Sequence, residues 1–216
     1  MNPPRTRIKI CGLTREADVD AAVAAGADAI GFVLYEHSPR HVSLARATEL
    51  ARRLPPFVTP VGLFVNATEA AIDAATGVIP HLLLQFHGDE LPQDCDRPGR
   101  PYLRAARVSA GFDLLDFVAR FAHAQAILLD ADVEGYGGGG KVFDWSLIRS
   151  GVPLPVVLSG GLHAGNVIQG IQQLRPWAVD VSSGVESAKG IKDAQAMRRF
   201  CDAVREADAR ADASAA

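Results

Sequence analysis

Apolar runs rich in β-branched residues alternate with amphipathic segments along almost the whole chain. Most runs are nearly continuous in hydrophobic residues, which is typical of parallel strands buried on both faces. The pattern predicts strands over residues 7–11, 29–34, 58–65, 81–86, 102–108, 126–130, 155–158 and 178–181. The intervening segments predict helices over 15–25, 44–54, 69–75, 112–121, 145–149, 165–174 and 192–207.

Candidate helix-capping residues lie where this alternation places the ends of the helices. Thr14 is a candidate cap of the first helix and Gly26 can close it, while Ser43 and Thr68 are candidate caps of the second and third helices. Residues 88–100 have a weak helical pattern, so we expect the fourth helix to be short or irregular.

These β-to-α steps in 216 residues predict a single-domain (β/α)8 barrel, that is, an α/β fold of the TIM-barrel type. A doubly wound open sheet is the alternative, but it normally has fewer strands and a glycine-rich first turn. The first turn here reads Cys11-Gly12-Leu13-Thr14, which is not the glycine-rich GxGxxG turn of that fold. No linker-like segment divides the chain, so we expect one domain over residues 1–216, with frayed ends at about 1–5 and 210–216.

Composition narrows the function. The formal net charge of −3 and the scattered basic residues argue against a nucleic-acid partner. No long apolar run predicts a signal peptide or a membrane span, and the odd number of cysteines argues against disulfides and zinc. We therefore expect a cytoplasmic protein without a membrane partner, and no histidine spacing predicts a metal site.

Two residues where strand patterns stop are candidates for proton transfer, because barrel active sites lie at the carboxyl ends of the strands. Cys11 ends the first strand just before a helix, whose amino terminus can lower a thiol pKa toward the range of a base. Free cysteines are more often buried hydrophobes. Asp130 ends the sixth strand and could be a capping group, a salt-bridge partner or a catalytic acid. The last of these is possible because burial favours the protonated carboxyl group.

Two turns after neighbouring strands predict a phosphate site. Gly160 and Gly161 follow the seventh strand, and Ser182, Ser183 and Gly184 follow the eighth. Barrels commonly bind phosphate there through backbone N–H groups, although both segments could be simple tight turns.

Three more polar residues lie at this end of the predicted barrel. Arg40 could hold a carboxylate or phosphate, or it could be an exposed loop arginine. His87 could be a hydrogen-bond donor or proton shuttle, or a structural residue, and Asp180 ends the eighth strand. The glycine-rich segment 135–141 lacks the Ser or Thr of a nucleotide P-loop, so a loop that closes over substrate is the better interpretation than a bare surface loop.

The ordered set of motifs resembles the phosphoribosylanthranilate isomerases. The resemblance spans nearly the whole chain and rests on KICGLT at 9–14, GADAIGFV at 26–33, SPR at 38–40, VGLFVN at 61–66, LQFHG at 84–88, LLD at 128–130, GGKVFDW at 139–145, LSGGL at 158–162 and VDVSSGVE at 179–186.

The resemblance implies a barrel without metal or cofactor that carries out an Amadori rearrangement in tryptophan biosynthesis. Its small-molecule substrate would be N-(5′-phosphoribosyl)anthranilate and its product the carboxyphenylamino-deoxyribulose phosphate. Cys11 would be the general base and Asp130 the general acid. Arg40 would engage the anthranilate part, the two turns would hold the phosphate, and Asp180 matches an active-site position whose role is open.

Two departures and two alternatives remain. Glycine fills all of 137–140, where family members often have Thr or Ser, and Arg104 stands where some relatives carry lysine. A histidine-pathway isomerase of the same architecture is one alternative, but it would use an aspartate at the position of Cys11. A barrel that only binds a phosphorylated ligand is the other. We expect a monomer or a homodimer.

Overall fold

The computed structural model describes residues 5–109, 111–131, 144–148 and 152–215. Its central feature is a closed barrel of eight parallel strands in chain order, in which β1 pairs with both β2 and β8. The strands are β1 Arg7–Cys11, β2 Ala29–Val33, β3 Thr59–Phe64, β4 Leu83–Phe86, β5 Tyr102–Val108, β6 Ala126–Ala131, β7 Val156–Leu158 and β8 Ala178–Val181. The barrel prediction is confirmed, and closure excludes the open sheet.

Helices follow the strands around the outside of the barrel. The α-helices are α1 Glu16–Ala25, α2 Leu44–Ala51, α3 Glu69–Val78, α4 Pro92–Asp96, α5 Leu114–Arg120, α6 Val167–Leu174 and α7 Ala194–Ala215. The fourth is short, as predicted. The helix predicted over 145–149 is instead a single 3₁₀ turn, Trp145–Leu147. The last helix continues past the predicted end at residue 207 and into the tail that we expected to fray.

Helix boundaries follow the predicted caps with one exception. The Ser43 hydroxyl accepts from the Arg46 N–H, the Thr68 hydroxyl accepts from the Ala71 N–H, and Gly26 ends α1 with φ 91°. The prediction for Thr14 is wrong. Its hydroxyl donates to the Gly190 carbonyl at 2.7 Å, so it ties the first loop to a distant part of the chain instead of capping α1.

The core has an outer and an inner part. The large outer core fills the space between the strands and the helices. Inside the barrel, small and branched side chains form a separate apolar layer that includes Val61, Leu103, Leu128 and Val157. Because this layer fills the lower interior, polar side chains in the barrel are confined to the carboxyl-terminal end.

A small hairpin follows β8 and is not predicted by the pattern. Its strands are β9 Glu186–Ala188 and β10 Ile191–Lys192, which pair antiparallel. It brings Glu186 and Lys192 to the mouth of the barrel. Among the helices that the structure describes, none has the length and hydrophobicity that a membrane span requires.

Candidate active site

One pocket opens at the carboxyl-terminal end of the barrel, where the candidate residues were predicted to meet. Its lining combines side chains from most of the strands with the turns after β7 and β8. The predicted residues that line it are Cys11, Arg40, His87, Asp130, Gly160, Gly161, Asp180, Ser182 and Ser183.

Cys11 closes β1 with its side chain inside the barrel and is 5% exposed. It pairs in register with Gly31 of β2. A Cβ atom on Gly31 would lie only 2.6 Å from the Cys11 sulfur. The absence of a side chain at Gly31 therefore makes the space in which the thiol sits.

The electrostatics of Cys11 differ from the sequence-based expectation. We expected the start of the first helix to lower the thiol pKa, but burial raises it, and the Asp180 carboxylate adds to the rise. The positive charges of Lys9 and Lys192 act in the opposite direction. The pKa of the Cys11 thiol thus depends on two opposing effects, burial in the pocket and the charge of nearby cations.

Asp130 is the second-last residue of β6, lines the same pocket as Cys11 and is 6% exposed. Its Oδ2 lies 3.2 Å from Nε2 of His87, whose Nδ1 lies 3.2 Å from the Gln85 amide nitrogen. Its Oδ1 accepts from the Ala131 N–H at 2.9 Å. Each oxygen of the Asp130 carboxyl group therefore has a fixed partner, and His87 is the partner of Oδ2.

The turn after β7 is shaped around this carboxyl group. Gly160 has φ 82°, and a Cβ atom there would lie 2.9 Å from Asp130 Oδ1. Glycine is required both by the left-handed backbone and by the close approach. The turn predicted to bind phosphate thus also packs against the candidate acid.

The predicted substrate residue Asp180 is already paired within the protein. Its Oδ1 accepts from the Lys9 ammonium at 2.8 Å, and both side chains are buried. The two residues face each other in register across β1 and β8. Sequence reasoning gave Lys9 no role, although its position two residues before Cys11 places both side chains on the same side of the strand.

Arg40 is also paired, which the sequence did not predict. Its Nε and Nη2 donate to the two carboxylate oxygens of Glu186 at 2.7 and 2.8 Å. Lys192 donates to Glu186 at 2.9 Å and to the Ser182 carbonyl at 3.0 Å. The Ser182 hydroxyl in turn donates to the Cys11 carbonyl at 3.0 Å. This network fixes the loop after β2, the turn after β8 and the end of β1 to one another.

Gly184 differs from the other predicted phosphate residues. It does not line the pocket, and a Cβ atom there would lie 1.9 Å from the Leu162 carbonyl oxygen. Its lack of a side chain lets the turns after β7 and β8 pack together. The other predicted phosphate residues, Gly160, Gly161, Ser182 and Ser183, all line the pocket.

The chain is similar to proteins of one enzyme family. Residues 8–203 match the model of the family described as N-(5′-phosphoribosyl)anthranilate isomerase. The N-(5′-phosphoribosyl)anthranilate isomerase of Leptothrix cholodnii is 72% identical over 215 residues, which cover 99% of this chain and 98% of that protein. The chain belongs to the N-(5′-phosphoribosyl)anthranilate isomerase family.

Solved structures of this isomerase family share the fold. The enzyme from Thermotoga maritima superimposes with a TM-score of 0.83 at 38% identity, covering 93% of this chain and 99% of that one. A phosphoribosylanthranilate isomerase in complex with reduced 1-(o-carboxyphenylamino)-1-deoxyribulose 5-phosphate gives a TM-score of 0.77 at 34% identity, with the same coverage. The resemblance read from the motifs is therefore confirmed.

The first departure from the family pattern, the glycine run, lies outside the described residues. The glycine run at 137–140 and Lys141, predicted to form a closing loop, fall in 132–143, which the structure does not describe. Across the described ranges, no group of three or more His, Cys, Asp or Glu side chains is arranged to hold a metal ion. Arg104, the second departure from the family pattern, lies outside the pocket lining.

Proposed function

We propose that this chain isomerises N-(5′-phosphoribosyl)anthranilate to 1-(2-carboxyphenylamino)-1-deoxyribulose 5-phosphate, with Cys11 as general base and Asp130 as general acid. The observation that carries the proposal is that a thiol from β1 and a carboxyl group from β6 line one pocket in a chain of this isomerase family. The rearrangement needs an acid and a base at different positions of one sugar, and the two strand ends supply them.

The acid acts first. Asp130 donates a proton to the ribose ring oxygen, and the C1′–O bond breaks while the anilino nitrogen lone pair forms a C1′=N double bond. The ring oxygen leaves as a hydroxyl group, and the sugar is now an open-chain Schiff base. Contact with His87 at 3.2 Å orients the Asp130 carboxyl group for this step.

The base acts second. The Cys11 thiolate removes the proton from C2′, and the C2′–H electrons move into a C1′=C2′ bond as the C1′=N electrons return to nitrogen. The enolamine then loses its enol proton to solvent and gains a proton at C1′, which gives the ketone. Cys11 releases the proton that it removed and Asp130 regains one, so both groups return to their starting states. No cofactor is consumed, because the hydrogen and electron pairs move within the substrate.

The two anionic ends of the substrate fit the polar ends of the pocket. The turns with Gly161 and Ser183 offer backbone N–H groups to the phosphate. Arg40 uses Nε and Nη2 for Glu186, and its Nη1 group can donate to the anthranilate carboxylate. The buried Arg40 is held in place before the substrate arrives, which reduces the entropy cost of binding.

The decisive experiment follows loss of the fluorescence of the anthranilate substrate. We expect turnover by the chain, and we expect Cys11→Ser and Asp130→Asn each to lower kcat by about 10²–10⁴-fold while they still bind a reduced product analogue. Cys201→Ser is a matched control, because Cys201 is a buried thiol in the last helix and outside the pocket lining. Near-normal turnover in either site variant would refute the assignment.

The same assay separates the alternatives. A barrel that only binds a phosphorylated ligand would bind the product analogue without turnover. A histidine-pathway isomerase would turn over that pathway's substrate and leave the anthranilate substrate unchanged. Either result would replace the proposal.

A further inference from the structure

The buried charges around Cys11 do not balance among themselves. Three cations and two carboxylates interact with the thiol or with one another at the mouth of the barrel: Lys9, Arg40, Lys192, Asp180 and Glu186. Each of these side chains is less than one tenth exposed. The set therefore carries one excess positive charge in a desolvated place, where an uncompensated charge is costly.

Cys11 is the acid that can supply the missing negative charge. Lys9 and Lys192 favour its ionised form, and Asp180 opposes it. On the other elements that face it, Gly31 and Leu63 are uncharged, while His87 and Asp130 contact each other at 3.2 Å. A thiolate at Cys11 would make the cluster neutral.

Lys9 has the position that matters most among the cations. It lies on the same strand as Cys11 with one residue between them, and its ammonium is fixed by Asp180 at 2.8 Å. Its positive charge is the largest influence that lowers the thiol pKa, ahead of Lys192. The raised pKa of Lys9 itself, to which both Asp180 and Cys11 contribute, keeps the ammonium charged against burial.

We infer that Lys9 is a positioning residue that supplies the positive charge against which the Cys11 thiolate forms, and that Asp180 holds the Lys9 ammonium in that place. The inference rests on the proposed function, in which Cys11 is the base. It assigns Asp180 to the support of the base instead of to the substrate. Lys9 acts through the thiol and does not itself touch the reacting atoms.

The test measures the thiol without substrate. Iodoacetamide alkylation of Cys11 is followed against pH by peptide mass spectrometry, which separates Cys11 from Cys95 and Cys201. In Lys9→Gln the midpoint of the alkylation profile should rise by at least about one pH unit, because a nearby positive charge is lost. At a pH below the midpoint, the alkylation rate should fall at least about threefold for each pH unit of this rise, because the lower thiolate content is partly offset by higher nucleophilicity.

A second variant guards against a folding defect. Lys9→Gln leaves Asp180 buried without its partner, whereas Lys9→Gln combined with Asp180→Asn keeps the shapes and removes both charges. Because Lys9 influences the thiol more than Asp180 does, the midpoint of the double variant should lie above that of the unaltered protein and below that of Lys9→Gln. An unchanged midpoint in both variants would overturn the inference.

Arg104→Gln is the matched control. Arg104 is another buried cation next to a carboxylate, Glu90 at 3.4 Å, but Cys11 is not among the groups that influence it. Its loss should lower stability and leave the alkylation midpoint where it is. If Arg104→Gln moves the midpoint as far as Lys9→Gln does, the effect is a general loosening of the barrel and the inference fails.

The two proposals fail separately. If the chain isomerises the substrate but Lys9→Gln does not move the midpoint, the assignment of Lys9 is wrong and the function stands. If the chain does not turn over the substrate, the function is wrong, while the alkylation series still reports the effect of Lys9 on the thiol.

Discussion

At the scale of single residues, the position of the Cys11 sulfur depends on a neighbour that has no side chain. A Cβ atom at Gly31 would approach the sulfur to 2.6 Å and the Cys11 Cα to 3.0 Å. We therefore expect Gly31→Ala to displace the thiol and to lower kcat by about 10²-fold, since a misplacement near 1 Å can cost that much. Steady-state kinetics of the purified variant would measure it.

Gly62→Ala is a suitable control for that variant. Gly62 is also a strand glycine, and the nearest atoms to a Cβ atom there would be in the side chains of Phe64 and Leu82, at 3.1 Å and beyond. This change should affect stability and leave kcat nearly unaltered. Equal losses of kcat in both variants would mean that strand distortion, and not the thiol, is responsible.

The role of Arg40 can be separated from its structural ion pair. Arg40→Ala removes the proposed contact with the anthranilate carboxylate and also the contacts with Glu186. The second loss affects every substrate equally, so we compare the anthranilate substrate with its aniline analogue, which lacks the carboxylate. A hydrogen bond to a charged group contributes about 1.5–3 kcal/mol, so kcat/KM should fall about 10–100-fold more for the anthranilate substrate.

Equal losses of kcat/KM for the two substrates would place the carboxylate elsewhere in the pocket. The Ser38 hydroxyl, which accepts from the Arg40 N–H at 3.1 Å and lines the pocket, is the next candidate in that case.

The sequence predicted which residues meet at this site better than what each one contacts. Cys11 and Asp130 end apolar strands, and strand ends of one barrel converge, so their common pocket follows from topology. The contacts of Asp180 do not follow in the same way. Its partner Lys9 lies at the other end of the chain, and only the pairing of β8 with β1 brings them together.

At the scale of secondary-structure elements, predictions succeeded where a signal is local. The Ser43 and Thr68 caps are confirmed because each needs only the next turn of its own helix. Thr14 fails because its hydroxyl has a competing partner, the Gly190 carbonyl of the hairpin loop. The hairpin itself is too short to produce a period, yet it supplies Glu186 and Lys192 to the site.

Arg104 stabilises the loop that carries His87. From β5 it donates to the carbonyl oxygens of Phe86 at 2.9 Å and Gly88 at 3.0 Å, and it faces Glu90 at 3.4 Å. The Glu90 carboxylate accepts from the Gly88 N–H at 2.9 Å, so the loop is closed around one buried ion pair.

Removing one partner of this pair should be costly. Arg104→Met leaves the Glu90 carboxylate buried without its cation, and we expect a loss of about 3–5 kcal/mol in the free energy of unfolding. Urea unfolding would measure it. Arg104→Lys keeps the charge but cannot reach both carbonyl oxygens with a planar fork, so its loss should be smaller. A loss below about 1 kcal/mol in Arg104→Met would show that the loop is held by other contacts.

At the scale of the whole molecule, pairing of β1 with β8 both completes the fold and completes the site. It joins the two ends of the sheet, and the same junction carries the Lys9–Asp180 ion pair and the hydrogen bond from Ser182 to the Cys11 carbonyl. A barrel that opened at this junction would lose the support of the thiol before it lost its other strands. Function and closure are therefore coupled through one strand pair.

Two buried thiols in the outer core, Cys95 and Cys201, should make the protein less stable at alkaline pH. Burial raises the pKa of Cys95 to about 12 and that of Cys201 to about 11, and neither thiol is exposed. Because the folded pKa values lie above the ordinary thiol value, both states hold the proton at neutral pH. As the pH rises past about 8.5 the unfolded chain ionises first, so stability falls until the folded thiols also ionise.

Replacing both thiols should therefore flatten this part of the pH profile. At about pH 10.5 each thiol that ionises only in the unfolded chain lowers the free energy of unfolding by about 2 kcal/mol. Between about pH 8 and 10.5, Cys95→Ala combined with Cys201→Ala should lose about 4 kcal/mol less than the unaltered protein, in urea unfolding with a reductant present. Comparing losses removes the cavity cost of each alanine, which is the same at both pH values. Each single variant should give about half of the difference, and parallel pH profiles would mean that the two thiols ionise as readily in the folded barrel as in the unfolded chain.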